Sequence, residues 1–148
     1  GNNFESHNHN DVGSYVYFYD YKPVLVDAGV GAYTRDTFGP NRYKNWFVNS
    51  DWHNLPSING CKQSFGKEYK SGPMSADKRS HSFGVDIAGA YPDAAKVDSW
   101  KVNYRLDKKG NLEMVHTFEL DSLVAENVLH FLAANEPVIV SKGTDHTA

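Results

Sequence analysis

The stretch Trp100-Lys101-Val102-Asn103-Tyr104-Arg105-Leu106, then Asp107-Lys108-Lys109-Gly110-Asn111, then Leu112-Glu113-Met114-Val115-His116-Thr117-Phe118-Glu119-Leu120 decides the fold class. Apolar or aromatic side chains fall at nearly every second position on both arms. That period belongs to a strand with one face buried. The residues between the arms are turn formers, so the stretch reads as a β-hairpin. The same period recurs upstream. Ser14 to Asp20 alternates Tyr with Val and Phe, which suits a strand with both faces covered, and Tyr21-Lys22-Pro23 reads as the turn into a second strand, Val24 to Asp27. Leu55 to Ile58 is short and extended, and it ends at Asn59-Gly60, a strong tight-turn signal. His81 to Ile87, Val128 to Ala133 and Val138 to Val140 read as further strands. Residues 28–51 read as a long loop with a helical turn from Asn41 to Phe47, and 64–80 as a second loop. Tyr91 to Ala95 reads as a turn or short helix. The expectation is one all-β domain over 1–148, an antiparallel β-sandwich with long loops in its N-terminal half.

Composition agrees with a packed domain. The chain has 148 residues, 40% hydrophobic and 14% aromatic, long enough to bury a core. No apolar run approaches the roughly 18–20 residues of a membrane helix. Cys61 is the only cysteine, so a disulfide scaffold is excluded, and Cys61 is expected to be packed. The net charge of −3 gives no reason to expect a nucleic-acid partner. Its distribution is uneven: residues 35–80 carry eight basic and four acidic groups, a local +4, while the remainder carries seven and fourteen. A positive segment on an acidic body can attract an anionic ligand or can be an ordinary solvated loop. The chain opens at Gly1 directly on a polar His/Asn cluster, and it is expected to be a fragment of a larger multidomain protein.

That cluster, Glu5-Ser6-His7-Asn8-His9-Asn10-Asp11, is the most unusual segment. In an extended chain His7 and His9 share a face, and two imidazoles can share a metal or divide metal binding from proton transfer. Downstream lie Asp27, closing an apolar strand, and His53 with Asn54. Two histidines and an aspartate suit zinc. Surface histidines and a hydrogen-bonded aspartate are the plainer alternative. Register arithmetic separates the groups: pairing Asp20 with Pro23 sets Asp27 opposite Val16, seven residues from His9, more than ~20 Å along a straight strand. A site therefore requires a bend near Gly13 or a neighbouring strand. His116 and His130 are expected to be packed and hydrogen-bonded. Trp100 fits the core. Trp46 and Trp52, in the basic loop region, can either stack on sugar rings or pack under the loop.

The run from Glu5 to Ser14, followed by Pro23-Val24-Leu25-Val26-Asp27-Ala28-Gly29, resembles the heparinase II/III-like family of bacterial polysaccharide lyases. Tyr33, Arg42-Tyr43, Ser50, His53-Asn54 and Ile58-Asn59-Gly60 continue the resemblance, which is specific over about residues 1–66 and looser beyond. It implies the C-terminal, supersandwich-like β-region of an enzyme whose N-terminal helical toroid is absent from this chain. It implies β-elimination on a uronate-containing acidic polysaccharide such as heparin or heparan sulfate, another glycosaminoglycan, or alginate, in the periplasm or outside the cell. His7 would match the catalytic histidine. His9, Asp27 and His53 would match the ligands of a zinc, expected to be structural. Tyr43 would match a catalytic loop tyrosine, with Tyr33 as competitor. Arg35, Arg42 and Trp46 are candidate substrate contacts, and Asn8, Asn10, Asp11 and Asn54 are candidates to support the metal ligands. In the family a carboxylate-neutralising Asn or His and a second tyrosine come from the helical domain, so the chain alone is expected to be inactive. Two other readings stand beside this one: a non-catalytic carbohydrate-binding β-sandwich with a structural zinc, and a metal-dependent hydrolase on a cupin-like sandwich.

Overall fold

The computed structural model describes residues 1–4, 7–32, 34–39 and 41–143. The hairpin that decides the fold class is present. Strands β8 (Val97–Leu106) and β9 (Leu112–Leu120) pair antiparallel, with Trp100 opposite Phe118, Val102 opposite His116 and Tyr104 opposite Met114. Asp107 closes the turn by accepting the backbone N–H groups of Lys109 and Asn111 at 2.7 and 2.9 Å. Strand β7 (Ser82–Asp86) adds to β8, and β6 (Met74–Asp77) adds to β7, giving a four-stranded meander in the order β6-β7-β8-β9.

Three two-stranded antiparallel sheets complete the all-β architecture. They join β1 (Asn2–Asn3) to β5 (Gly66–Lys70), β2 (Tyr17–Tyr19) to β3 (Lys22–Leu25), and β4 (Pro56–Ser57) to β10 (Val128–Leu129). Single 3-10 turns cover Arg35–Thr37, Arg42–Lys44, Trp46–Val48 and Ser50–Trp52 in the long loop. No helix among the described residues is long and apolar enough to cross a membrane. The apolar face of the meander carries Val85, Trp100 and Val102. It packs with Ile87, Ala90 and Tyr91 against Val12, Leu55 and Ile58 from the N-terminal half.

Because the N-terminal half has little regular structure, its buried backbone groups need other partners. Three amide side chains supply many of them. Gln63 donates from Nε2 to Val12 O at 2.7 Å and accepts at Oε1 from Val12 N at 2.9 Å and Asn3 Nδ2 at 3.0 Å. Asn54 donates to Tyr15 O and Val26 O at 2.7 and 2.8 Å and accepts from Leu132 N at 2.8 Å. Asn59 donates to Ala95 O and Ser122 O, both at 2.8 Å, and accepts from Val124 N and Ala125 N at 2.9 and 3.2 Å. His130 is a partly buried partner of the same kind: its Nε2 lies 2.8 Å from Ser57 Oγ, which donates to Asp51 Oδ1 at 2.9 Å, while Lys62 neutralises Asp51 at 2.6 Å.

Several expected boundaries are corrected. The turn between β2 and β3 is Asp20-Tyr21, both at positive φ (47° and 61°), so Pro23 lies within β3 rather than in the turn. Residues 64–80, expected as loop, contain β5 and β6. Neither has an apolar alternation to betray it, and every residue of β6 is exposed. Val138 to Val140 forms no strand and lies exposed. The helical turn expected from Asn41 to Phe47 is two separate 3-10 turns.

Candidate metal centre

His7 to Asn10 is not a strand. The segment is pinned instead: Asn10 N donates to Val48 O at 2.8 Å, and Ser14 N donates to Asp11 O at 2.8 Å. The chain then reverses at Gly13, whose φ of +88° is open to glycine. A Cβ there would also run into the Ile87 side chain. This reversal is the bend that the register arithmetic required. It removes the separation of more than ~20 Å that a straight strand would impose and carries His9 back toward Asp27.

Asp27 lies just beyond β3. Asn54, one residue after His53, holds Val26 O, so the Asp27 and His53 segments are tied by backbone next to the site. Ligand atoms of His9, Asp27 and His53 all lie within 4.8 Å of one another, and this group could hold a metal ion. His9 and His53 are buried, with ring centroids 5.2 Å apart.

The hydrogen bonds of His53 narrow its state. Nε2 lies 3.1 Å from Phe47 O, to which the Nε2–H tautomer would donate. Nδ1 lies 2.7 Å from Asp27 Oδ2. A shared proton or a bound metal ion would bridge that gap between Nδ1 and Oδ2. A backbone carbonyl on the other ring nitrogen is the usual support for a ligating histidine. Asp27 is oriented too, since Oδ1 accepts from Gly29 N at 2.7 Å. Burial pushes the His9 pKa down, helped by the nearby His53 and by Arg42 and opposed by Asp27. His9 is thereby held in the neutral form a metal requires. Asp11 is mostly buried, which pushes its carboxyl up against the field of His53.

His7 and Tyr43 pack on different aromatic rings. His7 is exposed and packs edge-on against Phe38 at 5.2 Å. His7, His9, Phe38, Arg42 and Phe47 line one small void of about 10 Å³. Tyr43 stacks on Phe65 at 4.1 Å, and burial pushes its phenol up, against the pull of Arg42 beside it. Arg35 is exposed in its 3-10 turn, and Trp46 is exposed in the next part of the loop. Tyr33 lies outside the described residues, as do Glu5 and Ser6.

Arg42 requires a correction. Expected among the substrate contacts, it is only 6% exposed. Its Nη1 donates to Thr37 O at 2.7 Å and its Nη2 to Asn8 O at 2.6 Å, while the guanidinium lies 5.9 Å over the Phe38 ring and 6.0 Å over Tyr43. Arg42 is a clamp between the His7–His9 segment and the long loop. Among the described residues its Nε has no hydrogen-bond partner. Replacing Arg42 with Met should therefore leave urea stability within about 1–2 kcal/mol, since a buried charge with an orphaned donor stabilises little. Amide exchange over 7–10 and 34–44 should rise roughly tenfold or more as the clamp is lost. Equal protection in both proteins would contradict the clamp.

Phe38, Phe47 and Thr37 were not foreseen. Phe47 is the most informative: its carbonyl lies 3.1 Å from His53 Nε2, and its ring meets His9 at 5.8 Å. Only the apolar Trp46-Phe47-Val48 run within the loop hinted at an inward anchor there. No protein-family model matches the chain, and no curated protein matches it.

Proposed function

We propose that this chain is the β-sandwich portion of a polysaccharide lyase that cleaves a uronate-containing acidic polysaccharide by β-elimination, and that its metal is a structural zinc. The observation that carries the reading is the convergence of His9, Asp27 and His53 from three separate segments, at the positions where the resemblance implies zinc ligands. Two imidazoles and a carboxylate form a donor set suited to zinc, with one position left for another group. When bound, the ion would cross-link the three segments. All proton movements fall to the chain's own side chains and to the missing helical domain.

In the reaction, a base removes the C5 proton α to the carboxylate. The C4–O bond to the leaving sugar breaks, the C4=C5 double bond forms, and the departing oxygen takes a proton. His7 is solvent-facing, two residues from a ligand, and carries the side chain that exchanges protons near neutral pH. Tyr43, next to Arg42 in the long loop, is the candidate for the second proton transfer. Arg35 and Trp46 remain candidate substrate contacts. A substrate of this kind goes with a periplasmic or secreted location.

The resemblance places the group that neutralises the substrate carboxylate in the helical domain, so the chain alone is expected to be inactive. With alginate, heparan sulfate or chondroitin sulfate it should give no rise in the ultraviolet absorbance of unsaturated uronate. The complete enzyme, with its helical domain, should give that rise on at least one of the three, and His7→Ala should lower its kcat by roughly 100-fold or more. A complete enzyme that eliminates none of them, or one indifferent to His7→Ala, would overturn the reading.

A further inference from the structure

We propose that Trp46 and Trp52 form a corner-shaped subsite that takes one pyranose ring of an acidic polysaccharide. The proposal rests on the lyase reading above and adds a binding site outside the metal cluster. The two 3-10 turns Trp46–Val48 and Ser50–Trp52 send Phe47, Val48 and Ser50 inward and both indoles outward. Trp46 is 52% and Trp52 47% exposed. Burying an indole is strongly favourable, so two half-exposed ones side by side forgo a large stabilisation that a ligand could recover. Among the described residues neither indole N–H has a hydrogen-bond partner. The core Trp100, by contrast, donates from Nε1 to His116 Nδ1 at 3.0 Å.

The ring geometry selects the kind of ligand. The indole centroids are 5.0 Å apart and the planes meet at 72°. That is a ledge and a wall. Two sugars cannot stack on it side by side, as they could on coplanar rings. One pyranose would lie there with its C–H face on an open indole face and its edge toward the other ring, its hydroxyls available to accept from an indole N–H.

The corner is also held rigid, which lowers the entropy cost of binding. Trp46 packs perpendicular to Phe47 at 5.7 Å, and Phe47 is seated over Gly31, where any Cβ would overlap its ring. The contacts His9–Phe47–Trp46–Trp52 form one continuous series, and Trp52 directly precedes His53. Phe47 thus links the corner to His9 through one aromatic ring. Charge favours an acidic chain: Lys44 is exposed two residues before Trp46, within the +4 segment, and Asp51 beside Trp52 is neutralised by Lys62.

The test is calorimetric titration of the zinc-loaded chain with alginate, heparan sulfate and chondroitin sulfate oligosaccharides, and with neutral cello-oligosaccharides. Trp46→Ala and Trp52→Ala should each raise the Kd for an acidic oligosaccharide roughly tenfold or more with zinc content unchanged. Trp46→Phe, which keeps a stacking face, should stay within about threefold of the parent chain. Acidic binding that is indifferent to all the variants would overturn the corner and leave the lyase reading standing. Binding confined to neutral oligosaccharides would overturn the acidic class, and binding of no glycan would overturn the subsite. Concentration-dependent self-association that the Ala variants abolish, with no glycan binding, would also overturn it and assign the corner to a second copy of the chain.

Discussion

Replacing His53 with Ala should destabilise the zinc-loaded chain by about 4–6 kcal/mol and remove its response to zinc. Two losses add. His53 is fully buried. Its removal strips Asp27 Oδ2 and Phe47 O of a partner and leaves a cavity, together worth about 2–3 kcal/mol. The second loss is the metal itself, which stabilises the fold by about 2.7 kcal/mol at a free concentration 100 times its Kd. Urea unfolding with zinc and with a chelator separates the two. The parent chain should lose midpoint on chelation, and His53→Ala should not move. Asp27→Asn, which keeps the shape of the side chain, should lose most of the zinc response with a smaller loss of metal-free stability. A His53→Ala protein still stabilised by zinc would exclude His53 as a ligand.

Asn59→Ala should be the most damaging substitution away from the site, at about 3–5 kcal/mol. Asn59 is buried and sits at φ 48°, in the left-handed region, where it begins the tight turn with Gly60. Its side chain makes four hydrogen bonds, two to the carbonyls of Ala95 and Ser122 and two from the amides of Val124 and Ala125. Alanine leaves those groups to find water and adds about 1 kcal/mol of backbone strain. Asn59→Gly removes the strain but not the orphaned groups, so it should be about 1 kcal/mol milder than Ala. The measurement is the urea midpoint of all three proteins at constant m-value. A cost below about 1 kcal/mol for Ala would mean that the 122–125 segment is not held by this side chain.

The contrast between these two residues shows what was legible. Asn59-Gly60 announces its turn because Asn tolerates positive φ, but nothing local shows that its amide will tie in Ala95 and Ser122. The β8–β9 hairpin was readable because one face is buried along both arms, which writes the burial into every second residue. Strand β6 is exposed throughout and leaves no such mark. The Asp20-Tyr21 turn was displaced because a tyrosine at positive φ carries no signal of its own, while Pro23 carries a misleading one.

The site divides in the same way. His9, Asp27 and His53 stood out by residue type and by resemblance. Their meeting did not follow from spacing, because it depends on the reversal at Gly13 and on the bond from Asn10 to Val48. Arg42 was misplaced because a cation in a basic loop reads as surface. Its burial follows from two backbone carbonyls, Thr37 O and Asn8 O, that no pattern of side chains reveals.

Joint binding of one metal ion by His9, Asp27 and His53 underlies the proposed function. Its most direct test is the metal content of the purified chain after equilibrium dialysis against micromolar zinc, alongside His9→Ala, Asp27→Ala and His53→Ala. The parent chain should hold one zinc, each of the three variants little or none, and His7→Ala a full complement. An empty parent chain, or stoichiometric zinc retained by all three variants, would contradict it.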